Sequence, residues 1–216
     1  MLTDAAAAAL EAAWAPARHA GALGSATVQE LWEHTAGYVS AVCSHFGRDS
    51  EDLSVRLADV GTGAGVPGLL LALQLPKCEV TLIDANERRL DHVRRARRAL
   101  DLEERTHVVH ARAEDLPTVA AHREGFDAAV ARLLAEPAEA AELLCPLIRD
   151  GGVLVVSTAA RWRPVWRQLP VAELPLGAAD IRGDEDLFVA IPRVGTVPDH
   201  LPRRAKARAR RPFLGA

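Results

Sequence analysis

Cysteine is scarce and unpatterned in this chain of 216 residues. Cys43, Cys78 and Cys145 are odd in number, far apart and without a C-x-x-C pair, which excludes a disulfide framework or a zinc knuckle and suits a reducing cytoplasm. No apolar run reaches the roughly 18 residues that a membrane span needs, and the N-terminus lacks the basic start and apolar middle of a signal peptide. Internal repeats are missing as well. His107 and His110, three apart on an expected strand, point to opposite faces and make no metal site. These absences leave a cytoplasmic protein with no membrane and no metal partner, read as a monomer.

What is present is a chain of 49% hydrophobic residues, enough for one substantial core and a small helical appendage. The formal charge of −3 conceals an asymmetry: Arg203, Arg204, Lys206, Arg208, Arg210 and Arg211 put +6 near the C-terminus, so the remainder carries −9 and would not by itself attract nucleic acid. The first fifth reads as helices, one alanine-rich through Ala20 and one from Val28 to Phe46 with an apolar stripe, which together form a cap over residues 1–53. From Ser54 the pattern changes to short apolar runs separated by helices, the signature of an α/β fold around a mostly parallel sheet with helices on both faces. The expected strands are Val55 to Asp59, Glu79 to Asp84, His107 to His110, Phe126 to Ala131, Gly152 to Ser157 and Leu187 to Ile191. An antiparallel pair should close the sheet, the domain should span 54–195, and residues 196–216 read as a basic, disordered tail.

The richest motif is Asp59-Val-Gly-Thr-Gly-Ala-Gly-Val-Pro-Gly68, where the first strand turns into a helix. Glycine there lets backbone approach a ligand closely. A bare G-x-G-x-x-G leaves NAD, FAD and S-adenosylmethionine open. Asp59 narrows the choice, because a carboxylate there would support the ammonium of a bound amino acid but repel a pyrophosphate. Asp84 ends the second strand at the spacing that places a carboxylate on ribose hydroxyls. Arg112-Ala-Glu-Asp115 follows the third strand, where Ala113 and Glu114 could receive an adenine edge. Arg132 ends the fourth strand, where open α/β sheets put their chemistry. The expected fold is thus a class I, Rossmann-like methyltransferase, with S-adenosyl-L-methionine held by Asp59, Gly61, Thr62, Gly63, Gly65, Val66, Asp84, Ala113, Glu114 and Arg132.

With Leu82-Ile-Asp84, Arg88-Arg89 and Val130-Ala-Arg132 added, these motifs resemble the bacterial glucose-inhibited division protein B family over roughly Leu31 to Ile191. The resemblance implies transfer of methyl to guanine N7 of small-subunit ribosomal RNA, with the cofactor touching Gly61, Val66, Ala113, Glu114 and Arg132. It makes ribosomal RNA, or the small ribosomal subunit, the expected partner. RNA contacts are expected at His34, Arg88, Arg89, Arg161, Arg163, Arg203 and Arg204.

The chain departs from the family at several positions. Glu33-His34-Thr-Ala-Gly37-Tyr38 keeps only the histidine of an Arg-His…Asp-Ser run, Ser157-Thr-Ala-Ala160 lacks a lysine, Gly183-Asp-Glu185-Asp186 has acid where an arginine stands, and Ala131 replaces a serine. All fall on the acceptor or RNA side, where an acid repels phosphate. A ring nitrogen with a free lone pair needs no general base, and no catalytic residue is assigned. The missing Asp/Asn-Pro-Pro-Tyr and Pro-Cys motifs argue against exocyclic amines and pyrimidine carbon as acceptors. Two other readings stay open at this point: a methyltransferase of a small molecule, and a cofactor-binding protein without activity.

Overall fold

The computed structural model describes residues 2–169 and 173–210. Its chain order is α1 (Asp4–His19), α2 (Val28–Phe46), β1 (Arg56–Val60), α3 (Gly68–Gln74), β2 (Glu79–Asp84), α4 (Glu87–Ala99), β3 (Thr106–His110), β4 (Phe126–Arg132), α5 (Pro137–Leu144), β5 (Ile148–Ala159), α6 (Arg163–Arg167), β6 (Asp180–Arg182), β7 (Asp186–Pro192) and α7 (Ala205–Arg210).

Local chemistry sets the ends of the long helices. Thr27 and Glu30 form a capping box at the start of α2, and Gly47, left-handed at φ +60°, ends it. Asn86 caps α4, its side chain accepting from the Arg89 N–H.

The strands form one sheet in the order β3-β2-β1-β4-β5-β7-β6. The first five strands are parallel; β7 runs antiparallel between β5 and β6. Alternation along each strand feeds two layers. Leu57, Val80, Leu82, Ala128, Val130, Val153 and Val155 face a cluster shared with α1, α2, α3 and α4. Ala58, Val60, Ile83, Ala129, Ala131, Leu154 and Val156 face the other layer, with α5 and Trp166.

Trp14 and Leu10 of α1, and Tyr38 and Val42 of α2, are fully buried in the first of these clusters. The N-terminal helices therefore share the core of the sheet, and the Trp14 indole N–H donates to the Ala64 carbonyl at 3.0 Å, tying α1 to the glycine turn.

The strand ends differ from the sequence expectation by no more than four residues, and β2 matches it at both ends. The largest difference is β5, which begins at Ile148, before Gly151-Gly152. Of these glycines the sequence expectation places only Gly152 in the strand, but the strand runs through both, with a register irregularity against β4 between Phe126 and Ala128. A Cβ on Gly152 would lie 2.3 Å from the Asp127 carbonyl, so glycine serves close strand approach there. The short β6 carried no periodic signal.

The region from 196 also differs from the disordered tail expected. Val197 and Leu201 are buried, Arg123 donates to the carbonyls of Leu201 (3.0 Å) and Pro198 (2.9 Å), and α7 follows; Arg211 and the residues after it lie outside the described residues. Basic composition suggested solvation, but acidic partners 61 and 69 residues earlier in the chain hold the segment. Among the described residues, no helix is long and apolar enough to cross a membrane.

Candidate functional site

The order β3-β2-β1-β4 reverses direction between β1 and β4, and open α/β sheets bind ligands at the carboxyl ends of strands at such a switch point. A cavity of about 430 Å³ opens there. Its walls are Val60 and Gly61 after β1, Ile83 to Ala85 and Arg89 after β2, Ala111 to Glu114 after β3, Arg132 to Ala135 after β4, Glu139 and Leu143 of α5, and Arg208 of α7.

Of the residues the sequence marks for the cofactor, Gly61, Asp84, Ala113, Glu114 and Arg132 come together in this wall. Gly61 and Gly63 have φ of +77° and +60°, values that favour glycine, and the place of a Cβ on Gly63 is open, so the turn presents bare backbone. Asp84 organises it. One carboxylate oxygen accepts from the Gly63 N–H at 2.9 Å and the other from the Asn86 N–H at 2.8 Å, with Arg89 at 3.8 Å. A carboxylate offers about four acceptor positions, so capacity remains towards the cavity.

Burial by itself would raise the Glu114 carboxyl. Its own backbone N–H, the Arg112 guanidinium at 2.9 Å and the charge of Arg208 outweigh burial and hold it below the usual carboxylate range.

Asp59, Thr62, Gly63, Gly65 and Val66 do not line the cavity. Asp59 is fully buried beneath the turn, where one carboxylate oxygen accepts from Thr62 Oγ1 at 2.6 Å and from the Gly68 N–H at 2.8 Å. It braces the turn, holding Thr62 and the Gly68 N–H from beneath. The other oxygen has no hydrogen-bond partner. Burial pushes this carboxyl up to about 7, against the two hydrogen bonds and with the charge of Asp84 adding to the rise.

A stability test follows. The folded state holds this proton more tightly than an unfolded chain at 3.8, so the stability it contributes is fully present below about pH 4 and is lost as pH rises to about 7. The slope approaches about 1.4 kcal/mol per pH unit. Asp59→Asn, compared with wild type by urea unfolding at several pH values, should gain relative stability across that window; a flat difference would mean the buried carboxyl is already ionised.

Arg132 and Ser157 are register partners at the ends of β4 and β5. Around Ser157 gather residues that sequence reasoning did not assign together. The hydroxyls of Tyr38 and Ser157 are 2.6 Å apart, Tyr38 also donates to the Ala131 carbonyl at 2.9 Å, and His34 Nε2 lies 3.2 Å from Ser157 Oγ. Phe188 packs on both rings, at 4.9 Å from His34 and 5.2 Å from Tyr38. The i, i+4 spacing of His34 and Tyr38 on α2 was the available signal. His34 Nδ1 stands 3.6 Å from Asp186, but burial and the charge of Arg132 outweigh that carboxylate and lower the imidazole pKa. After Arg132 the chain turns left-handed at Leu133 (φ +51°), which is 70% exposed at the cavity lip.

The cations expected to meet RNA are spread over the surface around this end of the sheet. Arg88, Arg161 and Arg204 are exposed. Arg89 lies in the cavity wall, Arg163 donates to the Gly183 carbonyl, and Arg203 is engaged with Glu142. Trp166 is buried, with Trp162 packed against the same apolar layer, so this pair anchors α6 on the sheet.

A family model described as rRNA small subunit methyltransferase G (GidB) matches residues 17–170. The ribosomal RNA small subunit methyltransferase G of Leuconostoc citreum is 32% identical over 184 residues, covering 82% of this chain and 77% of that protein. Its namesake in Thermotoga neapolitana is 32% identical over 172 residues, covering 76% and 74%. Among solved structures, a Corynebacterium glutamicum protein aligns with a TM-score of 0.59 at 15% identity, covering 91% of this chain and 93% of that one. An O-methyltransferase family protein from Burkholderia thailandensis aligns at 0.58 and 15% identity, covering 78% and 59%. Those structures share the fold. The family match covers β1 to α6 and thus the glycine turn, Asp84, Glu114 and Arg132, and the chain belongs to the ribosomal RNA small subunit methyltransferase G family.

Proposed function

We propose that this protein transfers methyl from S-adenosyl-L-methionine to guanine N7 of small-subunit ribosomal RNA in the cytoplasm. The observation that carries the reading is the cavity at the switch point, whose walls suit an adenosyl group. It has the size of a small-molecule site and combines bare glycine backbone, the partly engaged carboxylate of Asp84 for paired hydroxyls and an apolar wall at Leu134 and Ala135. The antiparallel β6–β7 hairpin separates this sheet from the dinucleotide fold, in which the sixth strand continues the 3-2-1-4-5-6 series.

The cofactor, when bound, supplies an electrophilic methyl group on a cationic sulfur. Gly61, Asp84, Ala113 and Glu114 would hold it, and Asp59 supports it indirectly by fixing the turn. Such a displacement depends chiefly on alignment and electrostatic environment. Guanine N7 carries a free lone pair, so no side chain must remove a proton. Arg132, register partner of Ser157, supplies donors of the kind that a guanine carbonyl oxygen accepts. The cations Arg88, Arg161 and Arg204 are exposed and would supply phosphate contacts.

The test is transfer of labelled methyl to small ribosomal subunits that lack their guanine methylation, with the modified nucleoside identified by mass. Arg132→Ala should lower kcat/KM by about 100-fold while the fold is kept. Binding of S-adenosylhomocysteine without transfer to RNA would overturn the substrate assignment and favour a small acceptor, a reading to which Asp186 beside His34 lends some support.

A further inference from the structure

The family match ends at residue 170, yet the cavity has one wall built from beyond it. Arg208, on α7, lines the cavity and is 7% exposed. The segment that carries it is seated by specific contacts. Glu142 of α5, 1% exposed, accepts from the Arg203 backbone N–H (2.7 Å), Nε (2.9 Å) and Nη2 (2.7 Å). One turn earlier on α5, Glu139 accepts from Arg208 Nε at 3.1 Å, and Arg208 also donates to the Arg203 carbonyl. A carboxylate as buried as Glu142 is costly without a cationic partner, so α5 is built to receive this segment.

We propose that Arg203–Arg210 is a strap across the adenosyl end of the cofactor cavity, and that Arg208 is a further cofactor-binding residue. The proposal rests on the reading that this cavity holds S-adenosylmethionine. The strap brings a planar cation into a wall that also holds Glu114, Glu139, Leu134 and Leu143. A guanidinium is suited to stack on an adenine ring or to donate to its ring nitrogens, which only accept. With the strap seated, the bound adenosyl group is enclosed from the side of α5. The ligand must then leave past the strap, so the contact shows most in the dissociation rate. Arg204, Lys206 and Arg210 remain exposed on the outer side of the strap.

Two measurements on the full-length protein test this. S-adenosylhomocysteine binding to wild type and Arg208→Ala, by calorimetry and stopped-flow displacement, should show Kd raised about tenfold in the variant, chiefly through faster dissociation. Limited trypsin digestion of wild type, with sites read by mass, should show cleavage after Lys206 and Arg208 slowed several-fold by saturating S-adenosylhomocysteine, with cleavage after the exposed Arg48 unchanged. Unchanged affinity and dissociation in Arg208→Ala, with strap cleavage indifferent to ligand, would overturn the strap while leaving the cavity assignment intact. Should Arg208→Ala fail to fold, the digestion of wild type decides. Absence of binding to wild type would overturn the cavity assignment and the strap with it.

Discussion

Gly68→Ala is expected to lower the melting temperature by about 10 °C and to abolish cofactor binding. A Cβ at Gly68 would lie 2.2 Å from Leu82 Cδ2 and 2.5 Å from Asp59 Oδ2, both on fully buried side chains. Neither can give way. Leu82 is in the middle of β2 under α3, and Asp59 is fixed by Thr62 and by the Gly68 N–H itself. Overpacking of this kind costs about 3 kcal/mol. It also pushes the turn away from β1, which moves Gly61 and the Gly63 N–H that Asp84 accepts.

Gly63→Ala provides the contrast. Its Cβ meets nothing closer than the Gly61 carbonyl at 4.0 Å, but its φ of +60° is strained for alanine, so a cost of about 1 to 2 kcal/mol is expected. Thermal unfolding of both variants beside S-adenosylhomocysteine titration checks the pair. Equal melting temperatures for Gly68→Ala and wild type would show that the space under the turn is larger than the structure has it.

Arg203→Ala should cost about 3 kcal/mol in urea unfolding, well above a typical surface substitution. The backbone N–H of residue 203 would still reach Glu142, but the guanidinium hydrogen bonds from Nε and Nη2 to Glu142 would be lost and a carboxylate at 1% exposure left without its cation. The double variant Glu142→Met/Arg203→Met should recover most of the loss, since replacing both members of a buried pair removes the uncompensated charge. A single-variant loss under about 1 kcal/mol would mean that the C-terminal segment does not rest on α5 in solution.

The sheet was legible because buried parallel strands are short apolar runs and the turns between them are marked by glycine, proline and asparagine. Glu79 to Asp84, flanked by Cys78 and the capping Asn86, was read to the residue. Reading was poorer at β5, expected to start at Gly152: the strand begins at Ile148, and the close approach of Gly152 to the Asp127 carbonyl keeps the glycine pair inside it. Asp84, Glu114 and Arg132 were legible as residues of the cavity wall because they stand at or just beyond the carboxyl ends of their strands, where the switch point opens. Asp59 occupies an equivalent strand end and still turns away from the cavity. Its orientation depends on whether Thr62 Oγ1 or a ligand offers the nearer donor, which spacing along the chain does not state.

The sequence by itself determined the α/β class, the antiparallel close of the sheet, the glycine turn and the cluster of acids beyond it, because each rests on local periodicity and on the backbone freedom of particular residues. Tertiary structure alone decided the rest. It packed α1 and α2 into the sheet's own core, set His34 and Tyr38 against Ser157, 123 and 119 residues away, and seated a basic segment on Glu142 and Glu139 with Arg208 in the cavity wall. Whether a run of arginines is solvated or held depends on a buried carboxylate far away in the chain, and the free energy of that pairing exists only once the fold has removed water from around it.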